Sequence, residues 1–523
     1  MLISLLLILP FACSCLMLTS SSRDLNSVFR MGLLCTAIPF VLATALIATG
    51  GQQTDFYPWF SILEIDIEFS LYGYGLSLWM VWLTTLLSFL AFAYSREAPC
   101  PRIKKFAICL LALEGTIIGA FFSVQNIVPF LFFFEAMILP VAILISLQGG
   151  LKRRRAVIIF SLYTLVGSVP MLFGAWYLML KAGSDNIYVL MNTLESLPLA
   201  TQTFLFIAFS IAFAVKTPIF PFHNWQGITY SEAPYTLSAV LSGAMAKVGI
   251  FGFAAWVIPL FHSFFQNSEY VSYFISLALF SMLYGAILAL KQTNIKRLLA
   301  FSSMSHLGLA AAGLFCLDKT VNAGVAVMLV GHGLTAGGLF FFAGIAQKWT
   351  GSTNIKNYGA FASTNPIYAA IFGFLGIAAI AIPCTIGFVG EFLILQGLFS
   401  YGFIFAAVGC IGIICSAAYM LRLIKNTLFG PIPESSRRAS ISLSRFEGAA
   451  AVPIIIFILY FGLHPAPILN SFEERDEEEE LKLTEQEIEA FLEYLNSAAE
   501  LEEDSEDTLA IDSLPNSNPE KYD

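Results

Sequence analysis

Long, uninterrupted apolar segments recur along the whole chain, and they restrict the folds it can adopt. Examples are residues 157–180, 204–220 and 273–290. Each is close to the length of roughly 20 residues that a helix needs to cross a bilayer. Only 12% of the residues are charged, about half the share found in soluble domains. Because the apolar runs do not alternate with polar residues, they predict an all-α polytopic membrane protein and not a β-barrel.

Charged loops between the apolar runs indicate the topology. Basic residues cluster at 23–30, 96–105, 152–155, 291–297, 348–356 and 422–438. Acidic or neutral loops alternate with them, at 52–68, 181–195 and 259–270. Since basic loops stay on the cytoplasmic side, this alternation predicts about 14 spans with both termini outside.

The C-terminal segment has a different composition from the rest. The chain holds 36 acidic and 27 basic residues, and the segment from Glu473 onward holds 20 and 3 of them, which leaves 16 and 24 for the remainder. A basic membrane body therefore precedes an acidic tail. A capping box at Thr484 and Glu487, followed by apolar residues at helical spacing, predicts a short amphipathic helix. This helix either docks on a neighbour or forms part of a solvated appendage, and residues after about Glu502 are typical of disorder.

Four ionisable residues lie inside apolar runs: Glu135, Lys216, Lys247 and Glu391. A charge at membrane depth is costly, so each is a candidate for function. The simpler interpretation is a structural ion pair or a long side chain that reaches the membrane surface. Glu135 lies too far inside its run for that interpretation, and we expect it to be functional.

Three further ionisable residues form a second rank: Glu114, His306 and His332. Lys104 and Lys105 precede Glu114 at the entry of the same run, so a structural ion pair is as good an interpretation there as function. A single buried histidine is often only a hydrogen-bonded core residue, and both interpretations stay open for the two histidines.

Helix-breaking residues accompany two of the charged positions. Lys216 opens the stretch KTPIFP, and Glu391 ends the stretch IPCTIGFVGE. Proline removes a backbone donor and frees carbonyls, which in a membrane must be satisfied by protein or by water. Two interrupted helices with charged residues, in separate halves of the chain, indicate an internal repeat and an ion pathway. A buried lysine paired with a carboxylate can release its proton when the two separate, which predicts a proton relay.

Several motifs together carry a resemblance to a known family. They are GLSL after Tyr74, FFFEAMILP, YTLVGSVPML, FAVKTPIFPFHNW, SEAP, NIKRLLAFSSMSHLG, HGLTAGGLFFFAG and GFVGEFLIL. With them, the chain resembles the proton-pumping, antiporter-like membrane subunits of respiratory complex I (NADH:quinone oxidoreductase), and most of all the subunit M type, chain 4 of mitochondria. The resemblance extends from about Leu71 to Pro467.

The resemblance implies a fold with two inverted five-helix repeats, each containing a broken helix. The organisation expected from it is N-terminal helices at 1–105, a first repeat at 106–258, a second at 259–430, a C-terminal helix at 431–471 and the acidic tail at 472–523.

The resemblance also implies a set of relay residues: Glu135, Lys216, Lys247, His306, His332 and Glu391. The first two would form an ion pair that controls the pump, and Lys247 would be the central relay lysine. The two histidines would lie along a hydrated path toward Glu391 at the exit. Sister subunits and related antiporter subunits typically carry lysine at the position of Glu391.

Three positions depart from the family pattern. Tyr74 stands where the family usually has aspartate, and so does Asn126. The stretch QGITY at 226–230 replaces LPDAH and thereby loses an aspartate and a histidine. These departures affect the expected entry path but leave the buried charged residues intact.

The sequence contains no pattern for redox chemistry, since it has no glycine-rich dinucleotide fingerprint and no cysteine cluster. We therefore expect no cofactor in this chain, and NADH, FMN, iron–sulfur clusters and quinone on other subunits. The expected partners are other membrane-arm subunits, including the sister antiporter-like subunits, and membrane lipid, but not nucleic acid. The expected location is an energy-coupling membrane, the bacterial plasma membrane, with the tail on the outer side.

Two other functions remain open at this point. The chain could be a subunit of a multisubunit cation/proton antiporter, against which Glu391 argues, or a hydrogenase-type or plastid-type relative of the same fold. The identity of the neighbouring subunits distinguishes all three.

Overall fold

The computed structural model describes residues 2–20, 24–50, 53–62, 65–96, 102–431 and 442–472. The chain separates into two units, 1–471 and 472–523. All of the second unit except its first residue, and with it the predicted tail helix, lies outside the described residues. The described part of the first unit is helical apart from one β-hairpin.

The helices follow one another along the chain with short connections. They are α1 (Leu2–Thr19), α2 (Leu25–Ala48), α3 (Gly75–Tyr94), α4 (Ile103–Phe122), α5 (Ile127–Ala136), α6 (Ile138–Gln148), α7 (Arg153–Ala182), α8 (Ile187–Glu195), α9 (Leu199–Lys216), α10 (Asn224–Glu232), α11 (Tyr235–Val240), α12 (Lys247–Gly252), α13 (Ile258–Leu260), α14 (His262–Phe265), α15 (Ser268–Lys291), α16 (Ile295–Leu314), α17 (Lys319–Thr350), α18 (Phe361–Thr364), α19 (Pro366–Ala378), α20 (Ile386–Tyr401), α21 (Phe403–Leu428), α22 (Arg445–Leu463) and α23 (Ala466–Leu469). Two π-helical turns, Leu241–Met245 and Phe253–Val257, connect α11, α12 and α13. Short 3₁₀ helices occur at Ile355–Asn357 and Asn470–Phe472.

Twelve helical segments of the described chain are long and apolar enough to cross a membrane. α16 is not among them because Lys296 and Arg297 near its start and the SSMSH stretch in its middle lower its mean hydropathy. α19 and α20 are each too short. The helical polytopic fold is thus confirmed. The expected number of about 14 spans requires α16 and the pair α19–α20 to cross as well, and it stays a prediction.

The hairpin pairs strand β1 (Gln53–Ile62) antiparallel with strand β2 (Ile65–Gly73). The all-α prediction omitted this element. Its second strand reads IDIEFSLYG, in which apolar and polar residues alternate as they do in a half-buried strand. That alternation was the available signal, and it lies between two much stronger helical patterns.

Both helix interruptions expected from the prolines are present. α9 ends at Lys216 and α10 begins at Asn224, and we call the connection 217–223 the first break. α19 ends at Ala378 and α20 begins at Ile386, and the connection 379–385 is the second break. Within the second break two non-glycine residues have positive φ, 58° and 74°. Such backbone is strained, so the surrounding packing must hold it in place.

Two loops at equivalent places in the two halves correspond closely. One isolated β-bridge pairs Asn126 with Asn186, and another pairs Asn294 with Asn354. Their sequences match as well, with GSDNI in the first half and GSTNI in the second, at one constant spacing along the chain. The leading glycine of each is left-handed, with φ of 71° and 69°, and ends the preceding helix. The correspondence favours an internal duplication, whose inverted orientation stays a prediction.

Helix α17 is the innermost element, since its membrane-length window is entirely buried. It approaches the π turn Leu241–Met245 very closely because glycines face each other there. A Cβ atom on Gly333 would lie 2.8 Å from the Gly243 carbonyl oxygen and 2.4 Å from Leu83. This close approach brings the segment that carries Lys247 against the segment that carries His332.

Candidate functional site

Four of the six predicted residues lie in one buried row, which we call the central chain: Lys247, His332, His306 and Glu391. At its start, the Lys247 ammonium donates to the Ser242 carbonyl at 2.9 Å and lies 3.2 Å from His332 Nδ1. The π turn just before Lys247 widens the helix at this point, as such turns often do at functional sites. Both side chains are buried.

The chemistry of the two groups assigns the proton positions. An ammonium group can only donate, so His332 Nδ1 accepts from Lys247. A neutral His332 therefore carries its own proton on Nε2. The arrangement can pass a proton from the lysine to one ring nitrogen and release another from the opposite nitrogen.

At the other end of the central chain, His306 of α16 meets Glu391 of α20. His306 Nδ1 lies 3.3 Å from the Glu391 carboxylate. Its Nε2 lies 3.3 Å from the Ser416 hydroxyl and 3.4 Å from the Tyr419 hydroxyl. The Tyr419 hydroxyl also lies 2.9 Å from that of Ser302. Neither Ser302, Ser416 nor Tyr419 was singled out from the sequence, because hydroxyl groups carry no distinctive spacing.

A small cavity lies against both histidines, whose ring centroids are 5.3 Å apart, and against Ala378 and Ala381 at the second break. It has a volume of about 10 Å³ and is lined by His306, His332, Thr335 and Glu391, among others. That is room for about one water molecule. A water molecule in this cavity would link the Lys247–His332 pair to the His306–Glu391 pair.

Lys216 and Glu135 lie apart from the central chain, on α9 and α5. The Lys216 ammonium donates to the Phe134 carbonyl at 3.3 Å and lies 4.5 Å from the centre of the Phe134 ring. No ion pair within 4 Å joins Lys216 to Glu135 in the part of the chain that the structure describes. The expected direct ion pair is therefore wrong for this arrangement, although the two charges still interact at longer range.

The position of the Lys216 ammonium follows from two helix ends. α5 ends at Ala136, so the Phe134 carbonyl is among the four that have no partner inside the helix. Lys216 is itself the last residue of α9. Both helix C-termini carry partial negative charge, which stabilises a cation there. A carbonyl and an aromatic face thus hold the ammonium where a carboxylate was expected.

Buried polar atoms without a protein partner are frequent around the first break. Among the described residues they include Thr217 Oγ1, His223 Nδ1 and Glu135 Oε1, as well as the Ser210 hydroxyl of α9. Buried polar groups in a membrane are satisfied by protein or by water. The first break is therefore suited to hold water, unlike the central chain, in which every member has a protein partner.

Two of the three departures from the family pattern lie at defined places in the structure, in α10 and next to Asp185. Gln226 and Tyr230, from the QGITY stretch, are fully buried in α10, and their side-chain polar atoms have no hydrogen-bond partner in the described chain. Asn126 donates to Asp185 Oδ1 at 2.8 Å. Asp185 also accepts from the Glu68 backbone amide at 3.3 Å, and its Oδ2 has no partner in the described chain. The acidic residue of this loop is thus Asp185. The corresponding position in the second-half loop is Thr353.

Asp185 is a titratable group that the sequence reading missed. It is fully buried in the loop between the spans α7 and α9. Burial raises the pKa of its carboxyl to about 6. The hydrogen bond from Asn126 lowers this pKa, but its effect is smaller than that of burial. The difference between GSDNI and GSTNI was the only signal in the sequence.

Glu114 does not form the structural ion pair that its neighbouring lysines suggested. It is fully buried on α4, and neither carboxylate oxygen has a hydrogen-bond partner in the described chain. Lys104 instead donates to the carbonyls of Leu18 and Ser20, at 2.8 and 2.6 Å. In the described chain no three His, Cys, Asp or Glu side chains lie together as metal ligands would.

A polytopic helical fold with a buried row of titratable side chains defines an ion-translocating membrane protein class. Residues 124–416 match the family model described as NADH:quinone oxidoreductase/Mrp antiporter, transmembrane. The chain belongs to this family. It is 34% identical over 421 residues to the NADH-quinone oxidoreductase subunit M of Rickettsia prowazekii, covering 80% of this chain and 85% of that protein.

Solved structures agree on the fold. A chain of respiratory complex I from Thermus thermophilus matches with a TM-score of 0.80 and 28% identity, over 90% of this chain and 98% of that one. A chain of the Mrp complex from Dietzia sp. DQ12-45-1b matches with a TM-score of 0.79, over 90% and 97% of the two chains. At 18% identity, the second likeness concerns the fold alone.

Proposed function

We propose that this chain is a proton-translocating subunit in the membrane arm of NADH:quinone oxidoreductase. The observation that carries the proposal is the central chain, which joins Lys247 to Glu391 through two histidines inside the most buried part of the fold. The similarity to subunit M sequences supports the choice of complex. Quinone reduction itself would occur on other subunits, together with the NADH, FMN and iron–sulfur chemistry.

Proton transfer along the central chain can be written with each proton assigned. Lys247 gives a proton to His332 Nδ1 and becomes neutral. The imidazolium then releases the proton from Nε2 toward the cavity beside the histidines. A proton released into the cavity reaches His306 Nε2, the nitrogen beside the Ser416 and Tyr419 hydroxyls, and the resulting imidazolium gives its Nδ1 proton to the Glu391 carboxylate. Each step needs only short movements, because the partners are already within or near hydrogen-bond distance.

The first break supplies the coupling element in this proposal. Lys216 lies directly before the first break, and its ammonium is held by the Phe134 carbonyl, one residue from Glu135. A small shift of the first break would move Lys216 and change the distance between its ammonium and the Glu135 carboxylate. Such a change alters the charge balance next to Lys247 and moves protons there without any redox group in this chain.

The proposed setting is an energy-coupling membrane, the bacterial plasma membrane, with the basic loops inside and the acidic tail outside. The partners would be the other membrane-arm subunits, including the sister antiporter-like subunits. The proposal includes the division into N-terminal helices (1–105), two repeats (106–258 and 259–430), a C-terminal helix (431–471) and the acidic tail (472–523). Within the complex, the subunit would have an enzymatic role only as part of the whole machine.

The test uses inverted membrane vesicles from cells in which the gene is deleted or restored. NADH is added, and quinone reduction and proton uptake are followed together. Restoring the chain should restore uncoupler-sensitive proton uptake in step with NADH oxidation, and tagged chain should co-purify with flavin and iron–sulfur subunits. NADH-driven proton uptake that is the same without the chain would contradict the proposal.

A cation/proton antiporter subunit is the second candidate, and the fold likeness to the Mrp complex is the observation that favours it. In that case the tagged chain would co-purify with small membrane subunits and no redox centres. The vesicles would then show sodium-dependent collapse of a pH gradient instead of NADH-dependent acidification.

A further inference from the structure

A large basic cavity opens between α7, α10 and α16, on the side of the molecule where the loop 149–152 lies. Its volume is about 420 Å³, well within the range of about 300–1,000 Å³ typical of small-molecule sites. Three cationic side chains line it: Lys152, Arg155 and Arg297. It shares no lining residue with the cavity of the central chain.

None of the three cations is neutralised by an ion pair in the part of the chain that the structure describes. The Glu232 carboxylate accepts from the Lys152 backbone amide at 2.8 Å and is not part of the cavity wall. Lys296, which donates to the carbonyls of Ser231 and Ala233, compensates the Glu232 charge from the other side. The cavity therefore keeps an excess of positive charge.

The walls change from charged to apolar along two helices that start on the same side. On α7, Arg155 is followed one turn later by Ile159 and then by Tyr163. On α16, Arg297 is followed one turn later by Phe301. Cationic side chains thus line the cavity at the start of both helices and apolar ones line it about one turn further along, with the polar Asn224 and Gln292 beside them. A proton or metal cation would be repelled by the cationic end.

We propose that this cavity binds an anionic phospholipid, with the phosphate between Lys152, Arg155 and Arg297 and an acyl chain against Ile159, Ile228 and Phe301. Basic pockets between transmembrane helices on the cytoplasmic side are suited to such headgroups. A free phosphate would satisfy the cations but leave the apolar wall unused. α10 forms one wall and directly follows the first break, so a bound lipid would support the short half of the broken helix.

The test compares lipid binding by two double variants of the intact, purified complex. Arg155→Gln with Arg297→Gln removes two charges from the cavity, and Arg153→Gln with Arg154→Gln removes two exposed charges from the same helix start. The probe is phosphatidylglycerol in phosphatidylcholine nanodiscs, and bound lipid is counted by native mass spectrometry. Loss of two contacts should weaken phosphatidylglycerol binding about thirtyfold, whereas the control pair should change it less than about twofold.

Two further measurements distinguish a specific lipid site from misfolding and from simple phosphate binding. Arg155→Lys with Arg297→Lys should retain most of the binding, which separates loss of charge from misfolding. Inorganic phosphate at the same concentration should not displace the lipid. Equal binding by the two glutamine pairs, full displacement by phosphate, or an acidic segment of a neighbouring subunit filling the cavity would each overturn the proposal. These readouts do not depend on proton pumping, so failure here leaves the proposed function standing.

Discussion

The two interrupted helices each carry a charged residue, of opposite sign, and satisfy their surroundings differently. Around the second break, Glu391 contacts His306 at 3.3 Å, and Lys247 contacts His332 at 3.2 Å, with one water-sized cavity beside the two histidines. Around the first break, Lys216 rests on a backbone carbonyl, and several polar atoms such as Thr217 Oγ1 have no partner in the described chain. One half thus positions protons with side chains, while the other provides places for water.

Lys247→Met should have the largest effect, because it removes the first donor of the central chain. We expect the rate of proton transfer through this subunit to fall by about a hundredfold or more, the size typical of losing a positioned acid–base group, so that NADH-driven uptake drops to what the rest of the complex supports. The measurement is uncoupler-sensitive acidification of inverted vesicles, with Lys181→Met at the exposed end of α7 as the control. Wild-type uptake in the Lys247 variant would show that protons bypass the central chain.

Lys216→Arg tests whether the first half needs a titratable group or only a charge. Arginine preserves the cation at the two helix ends but does not release its proton. We expect uptake to fall by at least about tenfold, nearly as far as in Lys216→Met. The comparison of these two variants at equal complex content decides the point. An arginine variant that pumps normally would make Lys216 a structural cation.

Tyr419→Phe should have a smaller effect, because the Tyr419 hydroxyl orients His306 without lying in the row itself. Losing one such hydrogen bond corresponds to about fivefold in rate. The effect should appear in turnover and in its pH profile, since His306 loses an oriented partner. Tyr401→Phe, which removes a hydroxyl bonded to the Ser268 carbonyl at 2.8 Å, is the matched control. Equal behaviour of the two variants would remove Tyr419 from the site.

Asp185→Asn should have the smallest effect on function and a distinct effect on stability. Burial raises the pKa of Asp185 from 3.8 to about 6, so the folded chain binds this proton more tightly than the unfolded one. The stabilisation is therefore complete at low pH and is lost as the pH rises from 3.8 to about 6. The free energy of unfolding falls by roughly 2–3 kcal/mol over that range. Melting temperatures of the complex at about pH 5 and pH 7.5 should converge in the variant. If the variant keeps the pH dependence of the melting temperature, that dependence comes from groups other than Asp185.

The sequence predicted what depends on local chemistry. The prolines beside Lys216 and before Glu391 interrupt their helices, whereas Pro10, Pro39, Pro170 and Pro453 lie inside continuous helices. Charged residues in apolar runs must face the interior. It could not predict Tyr419 beside His306, because these residues are distant in the chain and meet only through packing. It also misplaced the partner of Lys216, since the free carbonyl of Phe134 depends on where α5 ends, and helix ends are poorly determined by sequence.

The role of Asp185 was hidden for a related reason. Its importance comes from pairing with Asn126 across a loop, and only the comparison with the second-half loop reveals it. The β-hairpin was accessible in principle through the alternation in IDIEFSLYG. A short period-two pattern carries little weight beside continuous apolar helices on either side of it.

A cryo-EM map of the assembled complex that resolves ordered water tests the difference between the two halves most directly. We predict several waters at the first break, bonded to Thr217, His223 and Glu135, and about one between His306 and His332, as the cavity of about 10 Å³ allows. A first break without ordered water, or a column of water separating Lys247 from His332, would contradict the predicted difference between the two halves.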